Sequence, residues 1–183
     1  EAHSPTKHEY INGSLRAMAG ASDAHVTIAG NLFALLRSHV RGSGCRVYIA
    51  DMKARIDARN CFYYPDVMVT CDPRDQATTT YKRFPCLIVE VLSDSTEAFD
   101  RGDKFADYQT LDTLQEYVLI STHRQRVDHF RRSDTGLWTL QFHTPDQATL
   151  HFSSLDFALT LADLYEDVEL EPSSPYPTQS TDD

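Results

Sequence analysis

Phe84-Pro85-Cys86-Leu87-Ile88-Val89-Glu90-Val91-Leu92-Ser93 is the stretch that decides the fold. Its apolar run is too short for a typical helix and is bounded by Pro85 and by Ser93-Asp94-Ser95, so it reads as one short, fully buried β-strand. Glu90 is the exception within it. A carboxylate in a core strand is costly unless a cation, a proton or hydrogen bonds answer it. Two other segments offer that company: Pro65-Asp66, which opens another apolar strand, and Asp100/Lys104, four residues apart on the helix that follows.

Upstream of this strand, Glu9-Tyr10-Ile11-Asn12-Gly13-Ser14-Leu15 predicts a β-hairpin, because Asn-Gly is a favoured two-residue turn. Ala21-Ser22-Asp23 supplies a helix N-cap, and Ile28, Leu32, Leu35, Leu36 and Val40 recur at helical spacing before Gly42-Ser43-Gly44 ends the element. His25 lies in the first turn of that helix, where a cap or core-edge role is the plainer reading and support of a site is the alternative. Arg46 to Ala50, Met52 to Ala58 and Cys61 to Thr70 read as strands, and the polar Asp72 to Arg83 as a mobile loop.

Downstream, Asp94 and Glu97 have capping-box spacing. One helix is expected over roughly Glu97 to Thr110, with Asp100, Lys104 and Tyr108 on one face. Glu116 to Ser121 is the next buried strand, and Glu116 reads as strand-edge support. Val127 to Arg131, Leu137 to His143 and Leu150 to Phe152 read as antiparallel strands, and Leu155 to Tyr165 as a closing segment or short helix. The order of elements predicts an α+β fold, one mixed sheet flanked by two main helices with an added N-terminal hairpin. A single domain over residues 1–170 is expected, residues 1–8 being a poorly ordered lead-in, with an acidic Pro/Ser-rich tail over 171–183.

Composition narrows the function classes. No apolar run approaches the ~20 residues that span a bilayer, and no signal-peptide pattern opens the sequence, so a cytoplasmic protein with no membrane partner is expected. Cys45, Cys61, Cys71 and Cys86 lack C-x-x-C spacing, which excludes the usual zinc patterns and predicts scattered free thiols. The formal charge of −10 argues at first against nucleic acid. Seven of the 27 acids, however, lie from Asp163 to the end, which leaves 20 acids against 17 bases elsewhere. Arg37 to Arg59 carries six bases against two acids, either a phosphate-facing patch or a solvated surface.

If Asp66 and Glu90 sit on neighbouring strands, their carboxylates can converge. Hard oxygen donors suit Mg²⁺, which retains several waters. Lys104 could then contact a phosphate or help deprotonate a water. With no metal, Glu90 and Lys104 could instead form a buried salt bridge.

The ordered set Pro65-Asp66, Glu90-Val-Leu-Ser93, Asp100-x-x-x-Lys104-x-x-x-Tyr108 and Glu116-Tyr117 resembles the Uma-two family ("putative restriction endonucleases") of the PD-(D/E)xK, restriction-endonuclease-like superfamily. The resemblance extends from Lys7-His-Glu-Tyr-Ile-Asn-Gly13, through Ala19-Gly-Ala-Ser-x-x-His25, to Leu161-Ala-Asp-Leu-Tyr165. It implies a Mg²⁺-dependent DNA endonuclease, with Mn²⁺ as a possible substitute. Asp66 and Glu90 would be metal ligands, Glu9 a third catalytic acid and Lys104 the catalytic lysine. Asp100, His25 and Tyr108 would support them. The superfamily's lysine stands two residues after the Glu, where this chain has Leu92, so its function is expected to have moved to Lys104. The alternatives are an inactive nucleic-acid-binding or dimerising scaffold of the same fold, and a phosphohydrolase acting on nucleotides or RNA. A homodimer is plausible because cutting both strands usually takes two sites.

Overall fold

Asn12 and Gly13 hold φ of 43° and 100°, the left-handed geometry that a two-residue hairpin turn demands and that Asn and Gly tolerate best. They join β1 (His8–Ile11) to β2 (Ser14–Ala17) in the predicted hairpin. The computed structural model describes residues 6–18 and 20–172; residues 1–5 of the predicted lead-in and 173–183 of the predicted tail lie outside the described residues. Next comes α1 (Asp23–His39), where the Ser22 side chain accepts from the His25 amide and Ile28, Leu32 and Leu36 are buried.

The strands that follow are β3 (Arg46–Ile49), β4 (Lys53–Ile56), β5 (Cys61–Tyr63), β6 (Val67–Thr70), β7 (Tyr81–Lys82) and β8 (Leu87–Val91). After α2 (Glu97–Arg101) and α3 (Asp103–Tyr108) come β9 (Glu116–Ile120), β10 (Val127–Arg132), β11 (Trp138–His143), β12 (Thr149–Phe152), β13 (Phe157–Thr160) and α4 (Leu161–Leu164). They form a five-stranded sheet ordered β2-β1-β5-β4-β7, a six-stranded sheet ordered β11-β10-β9-β8-β6-β3, and a β12-β13 ribbon. The α+β class holds, with β8 and β9 parallel in an otherwise antiparallel six-stranded sheet.

The single sheet of the sequence reading becomes two because Cys61 to Thr70 is not one strand. Pro65, which has no amide hydrogen to give a ladder, falls between β5 and β6, and the two halves join different sheets. Asp66 is thereby carried to the junction of the sheets.

Strand alternation sorts the core. Leu87, Val89 and Val91 of β8, with Val67 and Val69 of β6, pack with Ile28, Leu32 and Leu36 of α1. Ile88 and Met68 point the other way, into a cluster with Tyr63, Tyr108, Tyr117 and Leu119. Glu90 shares the face of Ile88, toward α3.

Five other expectations change. The helix over Glu97 to Thr110 breaks at Gly102 (φ −111°, ψ −103°) into α2 and α3. Asp94 does not cap it; its carboxylate meets His123 Nε2 at 2.8 Å. The loop over Asp72 to Arg83 contains a 3₁₀ turn, Pro73–Ala77, and β7. It is tied down by buried Asp75, which accepts from Thr70 Oγ1 (2.6 Å) and the amides of Arg83 and Phe84. Cys45 and Cys71 form a disulfide and are not free thiols; the Arg46↔Thr70 register of β3 and β6 sets them opposite each other. Glu171, the first residue of the predicted tail, is docked through its amide to Thr122 O at 3.0 Å. Among the described residues no helix is long and apolar enough to cross a membrane.

Candidate active site

Lys104 is the centre of the site. Its Nζ lies 2.9 Å from Glu90 Oε1, 3.3 Å from Glu9 Oε1 and 3.3 Å from Asp100 Oδ1. Each partner comes from a different element: Glu90 from β8, Glu9 from β1 and Asp100 from α2. The break at Gly102 leaves the i,i+4 pair intact and turns the start of α3 toward β8. All four side chains are buried, none of these residues more than 5% exposed. Tyr108, one turn further along α3, donates its hydroxyl to Glu90 Oε1 at 3.1 Å.

Asp66 stands beside this group. The β6–β8 register pairs Val67 with Val89, so Asp66 continues it opposite Glu90. Its Oδ2 accepts from the Val91 amide at 2.7 Å, and its Oδ1 lies 2.9 Å from His25 Nε2. His25 therefore combines a helix-start position with direct contact to a site acid. Glu9, Asp66, Glu90, Asp100, Lys104 and His25 all line one cleft of about 650 Å³. The residues that the sequence assigns to a site thus fall at this cleft or, for Tyr108, in hydrogen-bond contact with Glu90; Glu116, read as strand support, lies away from it.

The charges do not balance. Six carboxylates line the cleft against Lys7, Arg16 and Lys104, and the three buried acids Glu9, Glu90 and Asp100 share Lys104 alone. Burial pushes the Glu90 carboxyl well up; Lys104 opposes this, while Asp100 and Asp66 push it further. Burial works against the Lys104 ammonium, but Glu90, Glu9 and Asp100 outweigh it and raise its pKa. Lys104 is accordingly a fixed cation, suited to steadying negative charge and unsuited to removing a proton from water. Burial also raises the Tyr108 phenol, so it stays a donor. At His25, burial favours the neutral ring, yet the Asp66 hydrogen bond and charge win and raise its pKa.

Asp100 Oδ1 is buried with no hydrogen bond of proper geometry, although Lys104 Nζ is near it. An orphaned carboxylate oxygen and surplus negative charge are what a bound divalent cation would relieve. Among the described residues no three His, Cys, Asp or Glu side chains converge as a ready metal cage. The donors fit an ion that takes one or two carboxylates and keeps its waters, which is the habit of Mg²⁺.

Arg16 of β2, which carried no sequence signal, stacks over Phe99, 4.2 Å from its centroid, and lines the cleft. Ser93, which closes the Glu90-Val-Leu-Ser93 motif, lines it too, its hydroxyl 3.2 Å from that of Ser95 and 3.0 Å from that of Thr96. Arg16 could not be placed there without the strand order.

A family model described as "Putative restriction endonuclease" (Uma2) matches residues 1–162. The chain is similar to two Synechocystis proteins, slr1290 and sll1609, each described as uncharacterized. The first is 41% identical over 84% of this chain and 81% of its own length. The second is 34% identical over 84% and 88%. A crystal structure from Anabaena variabilis, described as "a putative nuclease belonging to DUF820", superposes with a TM-score of 0.73 at 17% identity, covering 88% of this chain and 91% of that one. At that identity the likeness speaks for the restriction-endonuclease-like fold.

Proposed function

The chain belongs to the Uma2 family, described as "Putative restriction endonuclease", and on that premise we propose that it is a Mg²⁺-dependent endonuclease that hydrolyses phosphodiester bonds of DNA. Family membership supports the nuclease role. The observation that supports the finer reading is the cluster at the cleft in which the buried acids Glu9, Glu90 and Asp100 share Lys104 alone, with Asp66 beside them.

In this reading Asp66 and Glu90 hold the ion. When bound, Mg²⁺ would lower the pKa of a coordinated water and offset charge on a phosphoryl oxygen. The chain's own residues do the rest. Lys104 remains an ammonium and steadies charge on the phosphate. Tyr108 and Glu9 hold the lysine and Glu90 in place. His25 fixes the orientation of the Asp66 carboxylate, while Asp100 fixes Lys104 from its own helix turn. Leu92, where the superfamily carries its lysine, is buried, and Lys104 reaches Glu90 from α3 instead. A homodimer would bring two such clefts to the two strands of a duplex.

The test is cleavage of circular double- and single-stranded DNA. Wild type with Mg²⁺ or Mn²⁺ is expected to nick or linearise the substrate, EDTA to stop it, and Asp66→Asn and Glu90→Gln to abolish it. Cleavage of RNA or nucleotides alone would favour a phosphohydrolase. Metal binding with no cleavage of any nucleic acid would favour an inactive scaffold.

A further inference from the structure

The five-stranded sheet has two unlike faces. Ala54, Ile56, Cys61 and Tyr63 point inward and are buried. Their alternates point out and keep contact with solvent: Tyr10, Phe62, Lys53, Arg55 and Tyr81 are half-buried, and Arg83 beside them is exposed. The register sets Tyr10 opposite Phe62, Phe62 opposite Arg55, and Lys53 opposite Tyr81. The rings form an edge-to-face row, Tyr10 to Phe62 at 6.3 Å and Phe62 to Tyr81 at 5.8 Å between centroids.

Cations lie over these rings. The Arg55 guanidinium is 4.5 Å and Lys53 Nζ 5.9 Å from the Phe62 centroid, and Arg83 is 5.2 Å from that of Tyr81. Arg55 and Arg83 share one carboxylate, Asp57, at 2.9 and 3.2 Å; Asn60 Oδ1 accepts from both terminal nitrogens of Arg55 at 3.2 Å. Three cations and one acid therefore leave this face positive on a chain whose formal charge is −10. The row is also continuous with the cleft. Lys53 Nζ stands 5.8 Å from the Tyr64 centroid and Lys7 Nζ 5.1 Å from it, and Lys7 and Tyr64 both line the cleft.

We propose that this outer face binds a single-stranded nucleic-acid segment and leads it into the cleft. Aromatic rings and guanidinium planes on an open sheet are stacking platforms for unpaired bases, and interleaved cations meet the phosphates. A duplex keeps its bases stacked on one another and gains only the phosphate contacts. Of the six bases in the basic segment, Lys53 and Arg55 lie on this face, while Arg37 belongs to α1. Its link to cleavage rests on the nuclease reading; the binding itself does not.

Fluorescence anisotropy of a labelled oligothymidylate with the full chain in EDTA tests it, with thermal melting to check that each variant is folded. The single strand is expected to bind more tightly than a duplex of equal length. Phe62→Leu, which keeps apolar volume and removes the ring, is expected to weaken binding at least about fivefold. Arg55→Gln and Lys53→Gln should each reduce the slope of log affinity against log salt by about 0.7. Equal or tighter duplex binding, wild-type affinity in Phe62→Leu, or equally effective competition by polyglutamate would overturn the proposal. If wild type cuts DNA while these face variants bind and cut unchanged, only this inference falls. If the oligonucleotide binds as described but Mg²⁺ brings no cleavage, only the nuclease reading falls.

Discussion

Two glutamates on adjacent parallel strands, Glu90 of the proposed site and Glu116, are equally buried and differently answered. Glu116 opens β9 and Glu90 is the fourth residue of β8; the register pairs Glu116 with Leu87 and Glu90 with Leu119, so they sit at opposite ends of one ladder. Both are buried. Glu116 is fully answered: it meets His129 Nε2 at 3.0 Å, accepts the amides of Ser153 and Ser154 at 3.0 Å each, and accepts the Ser154 hydroxyl. Burial alone would raise its pKa, but His129 and Ser154 outweigh burial and hold it below the usual carboxylate range. Glu90 meets one lysine shared with two other acids and one phenol, and its pKa goes up. Glu116 is not among the residues that line the cleft, and Glu90 is. Equal burial of the same residue type therefore says little; the balance of donors says which carboxylate still has room for a cation.

The contrast is easiest to break at Lys104. Removing the only lysine among three buried acids by Lys104→Met is expected to cost about 3–5 kcal/mol in metal-free protein, read by urea denaturation, with part of the loss recovered in Mg²⁺. A cost under about 1 kcal/mol would mean that the acids need no counter-charge. Next in size, Glu116→Gln should destabilise by about 1–3 kcal/mol, because a satisfied acceptor set is replaced by a mismatched one. It should leave Mg²⁺ binding and cleavage untouched. Glu90→Gln reverses the pattern, with stability within about 1 kcal/mol of wild type and activity abolished.

The smallest expected effect lies in the sealed region, at His143. Its ring is buried, 5.8 Å from that of His129 between centroids, and neither nitrogen makes a well-aligned hydrogen bond. Burial, with His129 nearby, lowers its pKa and outweighs the nearby backbone of Thr149 and Gln147, which favours the charged ring. The unfolded chain therefore takes up a proton as pH falls below about 6.5 while the native ring stays neutral. Stability is full above that pH and drops through the interval down to the native pKa. His143→Leu should flatten the pH dependence of the melting temperature there. An unchanged profile would place the titrating group elsewhere.

The parts of this picture that were legible in the sequence depended on local periodicity. The hairpin at Asn12-Gly13, the buried strand around Glu90 and the Asp100/Lys104/Tyr108 spacing each need only a few residues to read. What was not legible depended on which strands become neighbours. Glu9 reaches Lys104 because β1 pairs with β5; no spacing within one segment encodes that, and only the family resemblance pointed to it. The Cys45–Cys71 disulfide needs the β3–β6 register. Asp75 and Lys82 read as loop polarity because both are polar; their burial follows from amides and carbonyls of the same loop turning inward to meet them. The break at Pro65 had a signal, the proline itself, and it was outweighed by the apolar residues on either side.

Calorimetric titration of Mg²⁺ into wild type, Glu90→Gln and Glu116→Gln tests the central claim most directly, since it asks whether the unbalanced end of the ladder takes a divalent cation and the balanced end does not. The expected result is binding heat in wild type and Glu116→Gln and its loss in Glu90→Gln. No heat in wild type, or equal heat in all three, would contradict it.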